Sequence, residues 1–317
     1  MIIQIGLILI GFIMLIKGAD ILVDGSSAIA KKLRISEIVI GLTIVSIGTS
    51  MPELFVSTAS AIQGSSDISI GNVIGSNICN LLLILGLSSI IHPVKFQKET
   101  IKIENPMSII LTIIFFVMCN IYQDISRLEG IILITLFVGF LIYTIIMAKK
   151  SQDEVILELA LEETKKISFT KNILLIILGI AVLKLGGDFV VENAKLVATA
   201  LNISEKIIGL TIVAIGTSLP ELVTSVTAAI KGDSDIAIGN IIGSNIFNML
   251  LIIGVSSVIQ PITYNITYNF QMLILFIGMF LMLIFPFIKP KGQMSKANGM
   301  IFVLLYIFYT VILFFEK

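Results

Sequence analysis

Charge is what this 317-residue chain has least of: Asp, Glu, Lys and Arg together make up 13% of it. A soluble domain carries about a quarter, so a soluble monomer is excluded. There is one histidine, His92, two cysteines, Cys79 and Cys119, and no tryptophan. Two cysteines inside apolar runs leave no disulfide scaffold and no Cys-rich metal site, and a single imidazole cannot build a histidine cluster. The 21 basic and 21 acidic residues cancel, which leaves no basic field to hold nucleic acid. Apolar residues are what is abundant, at 56% of the chain with a mean hydropathy of +1.06.

A helix crossing the roughly 30 Å hydrocarbon core needs about 20 largely apolar residues. Ten charge-poor windows of that length occur, near residues 3–26, 36–62, 68–91, 104–123, 129–148, 172–200, 205–230, 236–259, 268–288 and 298–315. These predict an all-α integral membrane protein of ten transmembrane helices. Residues 149–171 are the one long polar segment and read as a linker between residues 1–148 and 172–317. Basic loops stay on the cytoplasmic side. With both termini outside, fifteen Lys and Arg fall in inner loops and only Arg127, Lys206 and Lys317 on the outer side. The linker is then cytoplasmic, and the expected location is the plasma (inner) membrane.

Sliding the chain against itself shows an internal repeat. At an offset of 168, residues 41–93 align without a gap to 209–261, with 36 of 53 positions identical. Five spans per half is an odd number, so the halves enter the membrane in opposite directions. This predicts two inverted five-helix repeats, an arrangement that places a transported substrate at the midplane between halves.

The most similar blocks read Gly48-Thr49-Ser50-Met51-Pro52-Glu53 and Gly216-Thr217-Ser218-Leu219-Pro220-Glu221. Glu53 and Glu221 are each the only charge near the centre of a window. An ionisable group at mid-bilayer costs about 3 kcal/mol on insertion scales and is a functional residue by default. Ser-x-x-Glu is also a capping box, yet a helix starting at mid-membrane is itself a broken span. Proline removes an i+4 donor, and unwound backbone at that depth survives only where it is buried or lines a cavity. Broken helices in the core are therefore expected. Two carboxylates, freed carbonyls around Thr49 and Thr217, and the Ser50 and Ser218 hydroxyls make an all-oxygen site suited to Ca²⁺, Na⁺ or H⁺ rather than zinc or copper. A second matched pair, Gly75-Ser76-Asn77-Ile78-Cys79-Asn80 and Gly243-Ser244-Asn245-Ile246-Phe247-Asn248, puts Ser76 with Asn80, and Ser244 with Asn248, four apart on one helix face. Close packing accounts equally well for Asn77 and Asn245.

These paired blocks resemble the alpha repeats of the cation/Ca²⁺ exchanger superfamily, and look most like its prokaryotic Na⁺/Ca²⁺ exchanger branch. The resemblance covers both halves. It implies Ca²⁺ held by Glu53 and Glu221 with the Thr49 and Thr217 carbonyls. It also implies flanking Na⁺ sites using Ser50, Ser218, Ser76, Ser244 and the carbonyls of Ser46 and Ala214, with Asn80 and Asn248 completing the wall. K⁺-dependent relatives carry aspartate where this chain has Asn248, which points away from K⁺ co-transport. The expected activity is secondary active Na⁺/Ca²⁺ antiport by alternating access, electrogenic at the family's usual three Na⁺ per Ca²⁺. The alternative is Ca²⁺/H⁺ exchange through protonated Glu53 and Glu221. The implied partners are the two ions and the bilayer, with no cofactor, no enzymatic reaction and no obligatory protein partner.

The remaining charged residues read as structural. Lys17 with Asp20, and Lys184 with Asp188, stand three and four apart and can pair along their helices. His92 reads as a loop residue before Pro93. An intramembrane protease lacks a base to pair with Ser50, and a passive channel would use subunit symmetry instead of an internal repeat.

Overall fold

In the computed structural model, residues 2–64, 66–159, 168–201 and 214–315 are described. The described architecture is almost entirely helical. We number the helices α1 Ile2–Leu33, α2 Glu37–Thr49, α3 Met51–Ile62, α4 Ile68–Ile91, α5 Thr100–Tyr122, α6 Arg127–Leu159, α7 Phe169–Ala200, α8 Ala214–Thr217, α9 Leu219–Lys231, α10 Ser234–Ile259, α11 Tyr268–Ile284 and α12 Lys296–Phe315. Eight are long and apolar enough to cross a membrane, and α2 with α3, bent by 48° at their junction, make a ninth span. Residues 205–213 of the span expected at 205–230 lie outside the described residues. The helix after Arg127 runs on through polar residues to Leu159, so the segment read as linker from residue 149 begins inside a continuing helix.

Burial separates a centre from a periphery. In α10, 94% of the apolar window is buried, and in α4 72%, against 22% for α1, α6 and α12. The two central helices follow the broken ones in sequence and carry the Gly-Ser-Asn blocks. Small residues set their approach: a Cβ on Gly239 would stand 2.8 Å from the Ile38 carbonyl and 2.9 Å from the Gly41 Cα. Where α10 crosses α2, only glycine fits.

The long helices α1 and α7 pack antiparallel along a glycine seam. Gly11 lies on Gly186 and Gly18 on Gly179, each with backbone of the partner within about 3 Å of where a Cβ would be. Outward from that seam, Ile2, Leu9, Ile13 and Ile16 of α1 are exposed, as a lipid-facing surface requires.

Two short antiparallel ladders tie loops together. Strand β1 (Val94–Lys95) pairs with β4 (Gln293–Met294), and β2 (Asp124–Ile125) pairs with β3 (Ile262–Thr263). His92 has extended backbone just before β1, the loop position its sequence context suggested.

Candidate functional site

The break between α2 and α3 falls at Ser50, with φ −86° and ψ 8°, and its repeat counterpart Ser218 has φ −88° and ψ 6° before α9. Pro52 and Pro220 occupy the first turns that follow, where a missing N–H is tolerated. Neither serine caps its helix with its side chain. The Ser50 hydroxyl instead donates to Glu221 Oε1 at 2.8 Å, and the Ser218 hydroxyl donates to Glu53 Oε1 at 3.4 Å. Each half therefore supplies the alcohol for the other half's acid, and the local capping-box reading gives way to a bond across the repeat.

Glu53 and Glu221 are each 1% exposed, and the crossed serine bonds bring them into one region. Among the described residues their Oε2 atoms have no hydrogen-bond partner, and no lysine or arginine forms an ion pair with either. Ionised carboxylates buried without compensation cost several kcal/mol each. A cation between them, or protons on them, removes that cost.

The central helices are joined to each other by asparagines. The Asn77 side-chain amide donates to the Asn245 carbonyl at 3.2 Å and the Asn245 amide to the Asn77 carbonyl at 3.4 Å, a reciprocal clasp between α4 and α10. The clasp also binds the other two asparagines. Asn80 Nδ2 donates to Asn245 Oδ1 at 3.2 Å, and Asn248 Nδ2 to Asn77 Oδ1 at 3.0 Å. With their amide nitrogens so held, Asn80 Oδ1 and Asn248 Oδ1 have no partner among the described residues, and neither does the Ser244 hydroxyl. Asn77 and Asn245 are thus packing residues that aim their neighbours.

The other expected residues are placed as follows. Thr49 is buried, its hydroxyl donating to Asn240 Oδ1 at 3.0 Å and toward the Ser46 carbonyl at 3.3 Å. That same carbonyl accepts the Ser50 N–H at 3.0 Å, so part of its capacity is used within the helix. Ser76 is buried in α4. Thr217 lies half-buried at the end of α8, and Ala214 stands at the edge of the described residues.

Four residues of this network were not among those expected. Asn72 Nδ2 donates to Ser57 Oγ at 2.9 Å and to the Glu53 carbonyl at 3.3 Å, and Asn240 Nδ2 donates to Ser225 Oγ at 2.9 Å. They brace the acid-bearing helices against the central ones. The repeat held a signal for them: between residues 55 and 60, Ser57 is the only position identical to its counterpart, Ser225.

The site is not equally enclosed on its two sides. A cavity of about 300 Å³ lies between α3 and α7, lined by Pro52, Phe55, Val56, Lys184, Asp188 and Glu192 among others, and reaches Gly216, Thr217 and Pro220. At the repeat-related place, α1 packs directly against α9.

The chain matches the family model described as sodium/calcium exchanger protein over residues 3–146 and 171–315. It is 34% identical to the sodium/calcium exchanger MaX1 of Methanosarcina acetivorans, over 98% of each chain. It is 40% identical to a putative antiporter, CaxA, of Alkalimonas amylolytica over 80% of each. Among solved structures, the sodium-calcium exchanger NCX_Mj soaked with Na⁺ and Ca²⁺ superposes with a TM-score of 0.84 at 34% identity, covering 97% of both chains. With the family model spanning both halves and the fold shared from end to end, this multi-pass membrane protein belongs to the sodium/calcium exchanger family.

Proposed function

We propose that this chain exchanges Na⁺ for Ca²⁺ across the membrane by alternating access, electrogenically and without K⁺. The observation that carries this reading is the reciprocal pair Ser50 to Glu221 and Ser218 to Glu53, which gathers two uncompensated carboxylates from the two halves into one buried site. Ca²⁺ takes six to eight oxygens and accepts bidentate carboxylates. Glu53 and Glu221 would hold it with the Thr49 and Thr217 carbonyls. Na⁺ would take flanking positions at Ser50, Ser218, Ser76, Ser244 and the Ser46 and Ala214 carbonyls, with the amide oxygens of Asn80 and Asn248.

Charge accounts for the coupling. Two carboxylates neutralise one Ca²⁺, whereas three Na⁺ leave the loaded site at +1. With Asn80 and Asn248 both neutral, one net charge crosses per cycle and the membrane potential contributes about 2.3 kcal/mol per 100 mV. An empty site would bury two bare carboxylates, which disfavours its rearrangement and hence uncoupled leak.

The architecture proposed for this activity is ten spans in two inverted five-helix repeats, residues 1–148 and 172–317, joined by a cytoplasmic segment at 149–171. Both termini lie outside the plasma membrane. The ladders support this order of spans, because each one joins two loops that it assigns to one face, and the distribution of Lys and Arg selects which face is cytoplasmic.

The test is radiolabelled Ca²⁺ uptake into proteoliposomes. Uptake that requires internal Na⁺ and rises with an inside-positive potential is expected. Uptake driven by a pH gradient alone, without Na⁺, would replace the reading with Ca²⁺/H⁺ exchange.

A further inference from the structure

One cation without a charged repeat counterpart joins helices of the two halves. Lys231, the last residue of α9, pairs with Asp24 at 2.8 Å and Asp20 at 3.2 Å, both on α1, and also donates to the Asp20 carbonyl at 3.2 Å. It ties α1 to α9 where those helices pack together. The depression beside this tie is lined by Asp24, Ser27, Ala28, Lys31, Lys231 and Asp233 and reaches none of the site residues.

The offset of 168 maps each member of this contact onto the other half. Asp20 and Asp24 correspond to Asp188 and Glu192 on α7, and α9 corresponds to α3. Lys231 corresponds to Gln63, the residue that closes α3. The match extends to the next position, where Gly64 and Gly232 both have positive φ, 73° and 86°. At this second location the helices are parted by the cavity that reaches Thr217, and Asp188 is held by Lys184 of its own helix at 2.7 Å. Lys184 matches Ile16, so that ion pair too has no repeat counterpart.

Alternating access in a repeat protein exchanges the conformations of its halves. In the exchanged state α7 would close on α3 and α1 would leave α9. Asp188 and Glu192 would then meet Gln63, which has no charge to offer, while Lys231 would lose its partners.

We propose that Lys231 is a positioning residue that latches α1 onto α9, and that the Lys231/Gln63 difference biases the carrier toward the state with the α3–α7 cavity open. The proposal rests on the alternating-access reading above. Exposed ion pairs are individually weak, so the bias is of a size that ion binding overrides and transport continues.

The test follows the sparsely populated state, where a bias changes a rate most. Thr224, buried on α9, is the repeat counterpart of Val56 in the open cavity. In the purified full-length protein, Thr224→Cys is exposed to a thiol reagent without ions, with Na⁺ and with Ca²⁺, and Val56→Cys is followed in parallel. Lys231→Gln is expected to speed modification at Thr224→Cys about fivefold, the factor that corresponds to the upper range for an exposed pair. Lys231→Arg should restore the slow rate. Gln63→Lys, on an exposed residue whose replacement threatens no packing, should speed it independently, and the two changes together should add.

An unchanged rate in both Lys231→Gln and Gln63→Lys would overturn the latch. Equal acceleration at Thr224→Cys and Val56→Cys in Lys231→Gln would also overturn it, since that is general loosening. If ions modulate Thr224→Cys but the Lys231 and Gln63 variants do not, the latch alone falls. If Thr224→Cys is inert under every ion condition, alternating access itself fails and the latch with it. Ca²⁺ uptake lacking Na⁺ dependence would change the coupling ion and leave the labelling result standing.

Discussion

The interface of α1 with α9 and the interface of α7 with α3 are built from repeat-related segments, yet one is packed and the other holds a cavity. Near-identical sequence at the core does not impose one conformation on both halves. The site residues are matched almost one for one, and the differences lie at the rim, where Lys231 faces Gln63 across the repeat and Lys184 faces Ile16. Chemistry is duplicated, and under the proposed latch the balance between states is set by what is not.

The sharpest challenge to that division is at the acids. Glu53→Gln and Glu221→Gln should each reduce Ca²⁺ transport by at least about 100-fold, the scale of removing one charge from a buried pair, with the folded protein still recovered. Equal losses in the two halves are expected, and wild-type uptake in either variant would end the equivalence.

Packing follows. Gly239→Ala drives a methyl against the Ile38 carbonyl and should cost about 1–3 kcal/mol, seen as a lower melting temperature. Among the described residues, a Cβ on its counterpart Gly71 would meet Tyr268, whose hydroxyl lies at 3.2 Å.

The alcohols come next. The Ser50 bond to Glu221 is shorter than the Ser218 bond to Glu53, 2.8 Å against 3.4 Å. Ser50→Ala should therefore weaken apparent ion affinity by about tenfold, in keeping with a hydrogen bond to a charged group, and Ser218→Ala by less. Equal effects in flux measurements would show that ion binding evens out the two contacts.

The smallest effect concerns Asp233, in the loop between α9 and α10, whose counterpart Ser65 lies outside the described residues. Burial, and then the charge of Glu37, push its carboxyl up to about 6. The folded protein thus favours the protonated form, and the associated stability is present below about pH 4 and lost as pH rises through about 6. Asp233→Asn should raise the melting temperature at pH 7 by about 1–2 °C, because solvent screens a half-exposed group, and leave it unchanged at pH 4.

The spans were legible because lipid forces long apolar helices, and that constraint is written in composition. The two glutamates were legible because a lone charge in such a window has few structural uses. The break at Ser50 could be read from Pro52, but the destination of its hydroxyl could not: Ser-x-x-Glu suggests a partner three residues away, and the true partner is 171 residues distant. The same limit applies to Lys231, since helix spacing reports only neighbours three or four apart. Nor could the sequence show the four π-helical segments among the described residues, which include Cys79–Ile84 and Asn248–Ile252 at overlapping repeat positions. An extra residue in a helical turn leaves no mark on hydrophobic periodicity, though such turns cluster at functional sites. The polar run after residue 149 concealed a helix because its residues are good helix formers that lie beyond the apolar window.

The crossed bonds from Ser50 to Glu221 and from Ser218 to Glu53 bear on the ancestry of the chain. A single half, expressed alone, would hold an acid without its alcohol and an alcohol without its acid. Two copies of one half set face to face would restore both bonds at once. The geometry therefore fits descent from a self-pairing unit of half this length, in which fusion came after the site and freed the rim of each copy to diverge.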